Sequence, residues 1–304
     1  MNLKIEVNDS TNFAMQDSSC FAIEAEALGF SGVGMPDHPH TGQDVFERLI
    51  TAAQDTARIM LFPSVTNPIT RTVEELSVKA KELRTVALGR TRLILGGGDN
   101  AVGFLGKKPA TTLELINAVQ MIKAELAGTG VEVFINGSSP KMLEAGGLIA
   151  DGVYAMVGVD PVVVNTALEH VFQGARKGGR DPESIPIALG LPVFMASSLE
   201  QSIEYALPYA FSSLKRRTRV FSRVLRSILP ALENASNYTD LSKKDAWKLT
   251  EAMAICGSPR EAANKTHELA RKIGHTHFIA RVQMQGVEPI EALKAYGKQI
   301  YFPE

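Results

Sequence analysis

Several stretches of this 304-residue chain carry residue types that can do chemistry on a bound molecule. The apolar run Arg92–Leu95 passes directly into Gly96-Gly-Gly-Asp-Asn-Ala-Val102. Glycine lets main chain approach a ligand with no Cβ in the way, and Asp99 sets one charge beside it. A mobile strand-to-helix turn is the plain alternative for the same residues. Met35-Pro-Asp-His-Pro-His40 sets Asp37 beside His38, a hydrogen-bonding or acid–base pair whose imidazole titrates near neutral pH. Glu6 is an acid inside an apolar run. Partly buried beside a ligand, Glu6 and Asp99 are candidate proton donors with raised pKa values. Paired with a base such as Lys4 or Arg92, either would be structural.

Ile135-Asn-Gly-Ser-Ser-Pro-Lys141 reads as an anion site. Small residues free the backbone N–H groups, Pro140 suits a first helical position, and the new helix turns its positive end towards a phosphate. Lys141 adds a charge. Helix capping by Ser138 or Ser139 explains the same residues without a ligand. His38-Pro-His40 has the spacing of a two-histidine metal site, which needs further ligands at later strand ends. Those ends offer no histidine or final aspartate, and His275 and His277 sit at the start of a strand. No metal is expected.

These groups need elements to position them. Strand signals fall at Leu3–Val7, Gly32–Pro36, Ile59–Val65, Arg92–Gly96, Val131–Ile135, Gly152–Val157, Ile187–Phe194 and His277–Val282. Segments such as Asp44–Arg58, Val73–Ala87 and Thr112–Ala127 repeat apolar residues at helical spacing. Eight strands with intervening helices predict a parallel sheet closed into one (β/α)8 barrel over residues 1–304, an α/β fold. An open doubly wound sheet is the alternative. Residues 198–274 form a mostly helical, insertion-like excursion before the last strand. It contains the basic run 215–226, read as a solvated helix face, a lid or a docking surface for an anion.

In a barrel the reactive residues sit at the C-terminal strand ends, where Asp37, Asp99 and Asn136 fall. Composition narrows the partners. A formal net charge of -1 gives no general attraction to nucleic acid or anionic membrane. Two cysteines, Cys20 and Cys256, exclude a disulfide framework. No apolar run approaches the roughly 20 residues of a membrane span. The opening residues lack the apolar core of a signal peptide, so a cytoplasmic location is expected.

Taken in order, these strand ends resemble the luciferase-like family of flavin and deazaflavin oxidoreductases. The pieces that carry the resemblance include Ala25-Glu-Ala-Leu-Gly-Phe30, Met35-Pro-Asp-His38, Ser64-Val-Thr-Asn-Pro68, Gly97-Gly-Asp-Asn-Ala101 and Ser139-Pro-Lys-Met142. Ala150-Asp-Gly-Val153 and Val157-Gly-Val-Asp-Pro161 continue it. Within the family the chain is similar to the methylenetetrahydromethanopterin reductase branch. The resemblance implies a luciferase-like barrel with coenzyme F-420, or alternatively FMN, at its mouth. It implies hydride transfer to a small or pterin-like substrate, with FMN-dependent monooxygenation as the rival activity. A homodimer or higher homo-oligomer is implied too. A cis peptide at Ser64-Val65 would support the ring from behind, with Asp37 and His38 lining it and Thr66 and Asn67 flanking it. Gly98, Asp99 and Asn100 form a further wall. Asn136, Gly137, Ser138, Ser139 and Lys141 would hold the phosphate, with Val157 and Gly158 nearby. Glu6, His38 and Asp99 are the implied catalytic residues. The short Gly128–Val131 connection, the compact Asn8–Asp17 loop and Ser139, where a glycine is common, depart from relatives. The shortened loops leave a non-catalytic binding or assembly barrel as a further reading.

Overall fold

A computed structural model describes residues 2–11, 14–216, 224–226 and 229–302. Nine strands form one parallel sheet: β1 Lys4–Asn8, β2 Gly32–Met35, β3 Met60–Pro63, β4 Arg92–Leu95, β5 Glu132–Gly137, β6 Gly152–Ala155, β7 Ile187–Met195, β8 Ile255–Gly257 and β9 His277–Met284. Their order is β3-β2-β1-β9-β7-β6-β5-β4. Bridges Leu61↔Thr91 and Thr66↔Leu95 join β3 to β4 and close the ring. Strand β8 stands outside the eight-stranded ring. It pairs with the last residues of β7, Val193 to Met195, on the side that β6 has left.

The strands are apolar on both faces because both are covered, as in other parallel sheets. One face packs against the surrounding helices. The other fills the barrel with Phe62, Ile94, Phe134, Tyr154, Ala188 and Ile279, so the interior is a packed core. Side-chain caps start the helices at defined points. Thr72 accepts from Glu75 N, and Thr111 and Ser258 form capping boxes with Glu114 and Glu261.

The structure adds one element to the predicted set. Ile255–Gly257 is a strand inside the excursion, which also holds the helices Leu199–Arg216, Lys243–Met253 and Pro259–Ile273. Most of the basic run 215–226 lies outside the described residues. Among the described residues no helix is long and apolar enough to cross a membrane.

Candidate active site

The end of β3 organises the mouth of the barrel. Its Ser64–Val65 peptide is cis. Ser64 N donates to Met35 O at 2.7 Å, Thr66 N to Ile94 O at 3.1 Å, and Gly96 N to Thr66 O at 2.9 Å. The bulge is thereby stitched between the ends of β2 and β4. The glycines after β4 serve this arrangement. A Cβ on Gly96 would lie 2.8 Å from Val65 Cγ2. Gly98 has φ +87°, and its Cβ would lie 2.8 Å from Asn67 Cγ. The space these two glycines open is therefore taken first by the chain's own Val65 and Asn67, and not directly by a ligand.

Asp37 is buried and fully engaged. It accepts from Thr66 Oγ1 at 2.7 Å and from Arg71 Nε and Nη2 at 3.0 and 3.2 Å. Arg71 Nη1 reaches Asp44 and Glu75 as well. Burial alone would lower the Arg71 pKa, but Asp37, Asp44 and Glu75 outweigh it and raise it. A second buried network holds the preceding residue. Arg48 binds Asp9 at 2.7 Å and Ser18 at 3.0 Å, and donates to Pro36 O at 3.1 Å. Together the two arginines clamp the turn that presents His38.

His38 is half-buried, and burial pushes its pKa down. The charges of His40, Arg48 and Arg281 push the same way, while Asp37 opposes them. The imidazole is accordingly held neutral at neutral pH. His40 stacks on Phe104 with centroids 4.0 Å apart and planes at 23°. That contact ties the β2 and β4 loops together.

The remaining expected residues divide. Asp99 is exposed at the start of the short helix Asp99–Gly103, and the side chain of Asn100 lies outside the described residues. Asn136 Nδ2 donates to Tyr154 O at 3.1 Å, and Gly137 is buried beside it. Ser139 Oγ accepts from Met142 N at 3.1 Å, the capping alternative, with Ser138 half-buried and Lys141 exposed. Val157 and Gly158 are buried. The next two amides, of Val159 and Asp160, both donate to Ala252 O in the excursion.

Glu6 does not face the mouth. Its carboxylate lies inside the barrel, accepting from Arg92 and standing 3.2 Å from His277 Nε2. Arg92 and His277 open their strands, so the pair draws Glu6 towards the opposite end. Burial pushes the Glu6 pKa up, but Arg92 and His277 outweigh it and bring it to about 2. Among the described residues no group of three metal-ligating side chains occurs.

Sequence reasoning missed Asn8, which shares the inward parity of Glu6 and sits one step nearer the mouth. Asn8 Nδ2 donates to Tyr154 Oη at 3.4 Å. Asn8 Oδ1, Ser64 Oγ and Asn67 Nδ2 are buried with no partner among the described residues. Buried polar atoms left unpaired cost free energy, so such a group calls for a partner. An acceptor, a hydroxyl and an amide donor, close to the Val65 bulge, suit the edge of a flat ring bearing N–H and C=O groups. The donor set fits a flavin or deazaflavin.

Comparison with known proteins finds relatives of the same fold. The luciferase-like monooxygenase family matches residues 8–277. A 5,10-methylenetetrahydromethanopterin reductase of Methanolobus tindarius is 27% identical, covering 92% of this chain and 94% of its own. The coenzyme F-420-dependent tetrahydromethanopterin reductase of Methanopyrus kandleri superposes with a TM-score of 0.78 at 18% identity, covering 99% of each chain. An F-420-dependent secondary alcohol dehydrogenase bound to an F-420–acetone adduct gives 0.75 at 16% identity, covering 100% of both.

Proposed function

The chain belongs to the luciferase-like monooxygenase family, and on that premise we propose that it is an oxidoreductase moving a hydride between coenzyme F-420 and a small or pterin-like substrate. The observation that carries this reading is the identity, over nearly all of both chains, to a methylenetetrahydromethanopterin reductase. The unpaired polar atoms of Asn8, Ser64 and Asn67 support it. The bound deazaflavin supplies the ring carbon that gives or accepts the hydride.

The chain's own residues would do the rest. Ser64, Val65, Thr66 and Asn67 hold the ring, with Gly98 and Asn100 beside them. Asn136, Gly137, Ser138, Ser139 and Lys141 take the phosphate, with Val157 and Gly158 shaping that wall. Asp37 acts through Thr66 and Arg71 as a positioning residue. His38, uncharged at neutral pH, can hydrogen-bond the reacting group and carry a proton. Asp99 has solvent access to exchange a proton with the substrate. Glu6, tied to Arg92 inside the barrel, supports the site from below. The same reading makes the protein a cytoplasmic homodimer or higher homo-oligomer.

Anaerobic mixing with reduced deazaflavin and methylenetetrahydromethanopterin tests the activity. Enzyme-dependent return of the oxidised deazaflavin absorbance is expected, slowed roughly a hundredfold in His38→Ala. Oxygen consumption with reduced FMN, and no reaction with the deazaflavin, would overturn it in favour of a monooxygenase.

A further inference from the structure

The arginines of the barrel interior and its mouth are not alike. Arg48, Arg71 and Arg92 are buried and each is paired with a buried carboxylate, Asp9, Asp37 and Glu6 respectively. Arg281 is exposed and makes no ion pair with a carboxylate among the described residues. Its direction follows from strand parity. Phe278, Ala280 and Val282 of β9 enter the core between sheet and helices, while Ile279 enters the barrel interior and His277 meets Glu6 there. Arg281 continues the inward series one step beyond Ile279, on its mouth side. Glu6 stands opposite Ile279 in register, so the next inward residue of β1, Asn8, is level with Arg281. The guanidinium carbon lies 6.0 Å from the centroid of Tyr209, at the outer limit of a cation–π contact.

A cation with no carboxylate partner among the described residues, on the inner wall of a reactive mouth and backed by an aromatic ring, is poised for an anion. We infer that Arg281 is the anion receptor of the mouth and takes a carboxylate or phosphate group of the substrate, with Tyr209 supporting its guanidinium. Calling the occupant a substrate rests on the proposed oxidoreductase function; the anion site itself does not.

His38 reports on the site. The charged and titratable groups that act on it are His40, Asp37, Arg48 and Arg281. Removing the Arg281 charge, or covering it with an anion, lifts one of the influences that hold the imidazole pKa down.

The test follows the His38 ring resonances by NMR, assigned with His38→Gln, while pH is varied with and without inorganic phosphate or acetate. In the wild-type protein an added anion raises the His38 pKa saturably. In Arg281→Gln the pKa starts higher, the anion no longer moves it, and phosphate binding weakens at least about tenfold. Arg281→Lys retains part of the response. Because Arg281 is exposed, unchanged thermal melting will show that the variants fold. No anion effect in the wild type, or an equal effect in Arg281→Gln, would overturn the anion site. An Arg281-dependent shift produced by the deazaflavin alone, and competed by phosphate, would overturn its assignment to the substrate. Neither readout needs turnover, so failure of the proposed activity and failure of this inference are separable.

Discussion

Arg92 on β4 donates to Glu6 on β1 across the inside of the barrel, and its guanidinium carbon lies 4.1 Å from the centroid of Phe62 and 4.8 Å from that of Phe134. A charged pair held between two aromatic rings closes the space below the mouth. Any ligand there rests above it.

Removing one member leaves the other charge buried. Glu6→Gln and Arg92→Met should each lose about 3–5 kcal/mol of stability, and the double variant should recover much of it. Urea unfolding measures this directly. Single variants within about 1 kcal/mol of wild type would contradict the assignment.

The pair also sets acid stability. Burial pushes the Glu6 pKa up, and Arg92 with His277 bring it from the ordinary 4.5 to about 2. A depressed carboxylate pKa stabilises the fold fully above the unfolded value and loses that contribution as pH falls through the folded one. The advantage of wild type over Glu6→Gln should therefore shrink between pH 4.5 and 2, by on the order of 3 kcal/mol. A difference that stays constant across this window would refute the charged pairing.

Arg71→Met should strip Asp37 of its buried partner and release Thr66 from the geometry that Asp37 sets. The expected cost is about 3–5 kcal/mol. Deazaflavin affinity, followed by fluorescence, should fall more than in a surface-lysine control of matched charge change. Retained affinity and stability would show that the Asp37 network does not organise the mouth.

Gly98→Ala adds a Cβ 2.8 Å from Asn67 Cγ at a backbone with φ +87°, whereas Gly103→Ala in the same segment meets nothing within 4 Å. The first should cost roughly 1–2 kcal/mol and weaken ring binding by displacing Asn67. The second should change neither. Equal behaviour of the two would show that the close approach of Gly98 to Asn67 is not needed.

The barrel was legible because its eight strands are mostly buried, largely apolar runs, most of them followed by helical spacing. Ile255–Gly257 was not, since three residues within a helical pattern show no period of two. The strand ends around Asp37, Ser64 and Gly96 were readable as a mouth, but their partners were not. Arg71 lies 34 residues from Asp37, a separation that only the closed sheet brings together, whereas Arg92, 86 residues from Glu6, is one of the two bases the sequence already offered as its structural partner. Gly96 looked like room for a ligand because the Val65 side chain that fills it depends on the β3 bulge. Asn8 and Arg281 became visible only when the register of β1 and β9 fixed which way each side chain points.

Side-by-side titration with oxidised deazaflavin coenzyme and with FMN, followed by fluorescence, separates a deazaflavin enzyme from a flavin one. Saturable binding of the deazaflavin, much tighter than FMN and weakened at least about tenfold by Asn67→Ala, is the predicted result. Binding of FMN alone, or of neither, would contradict it.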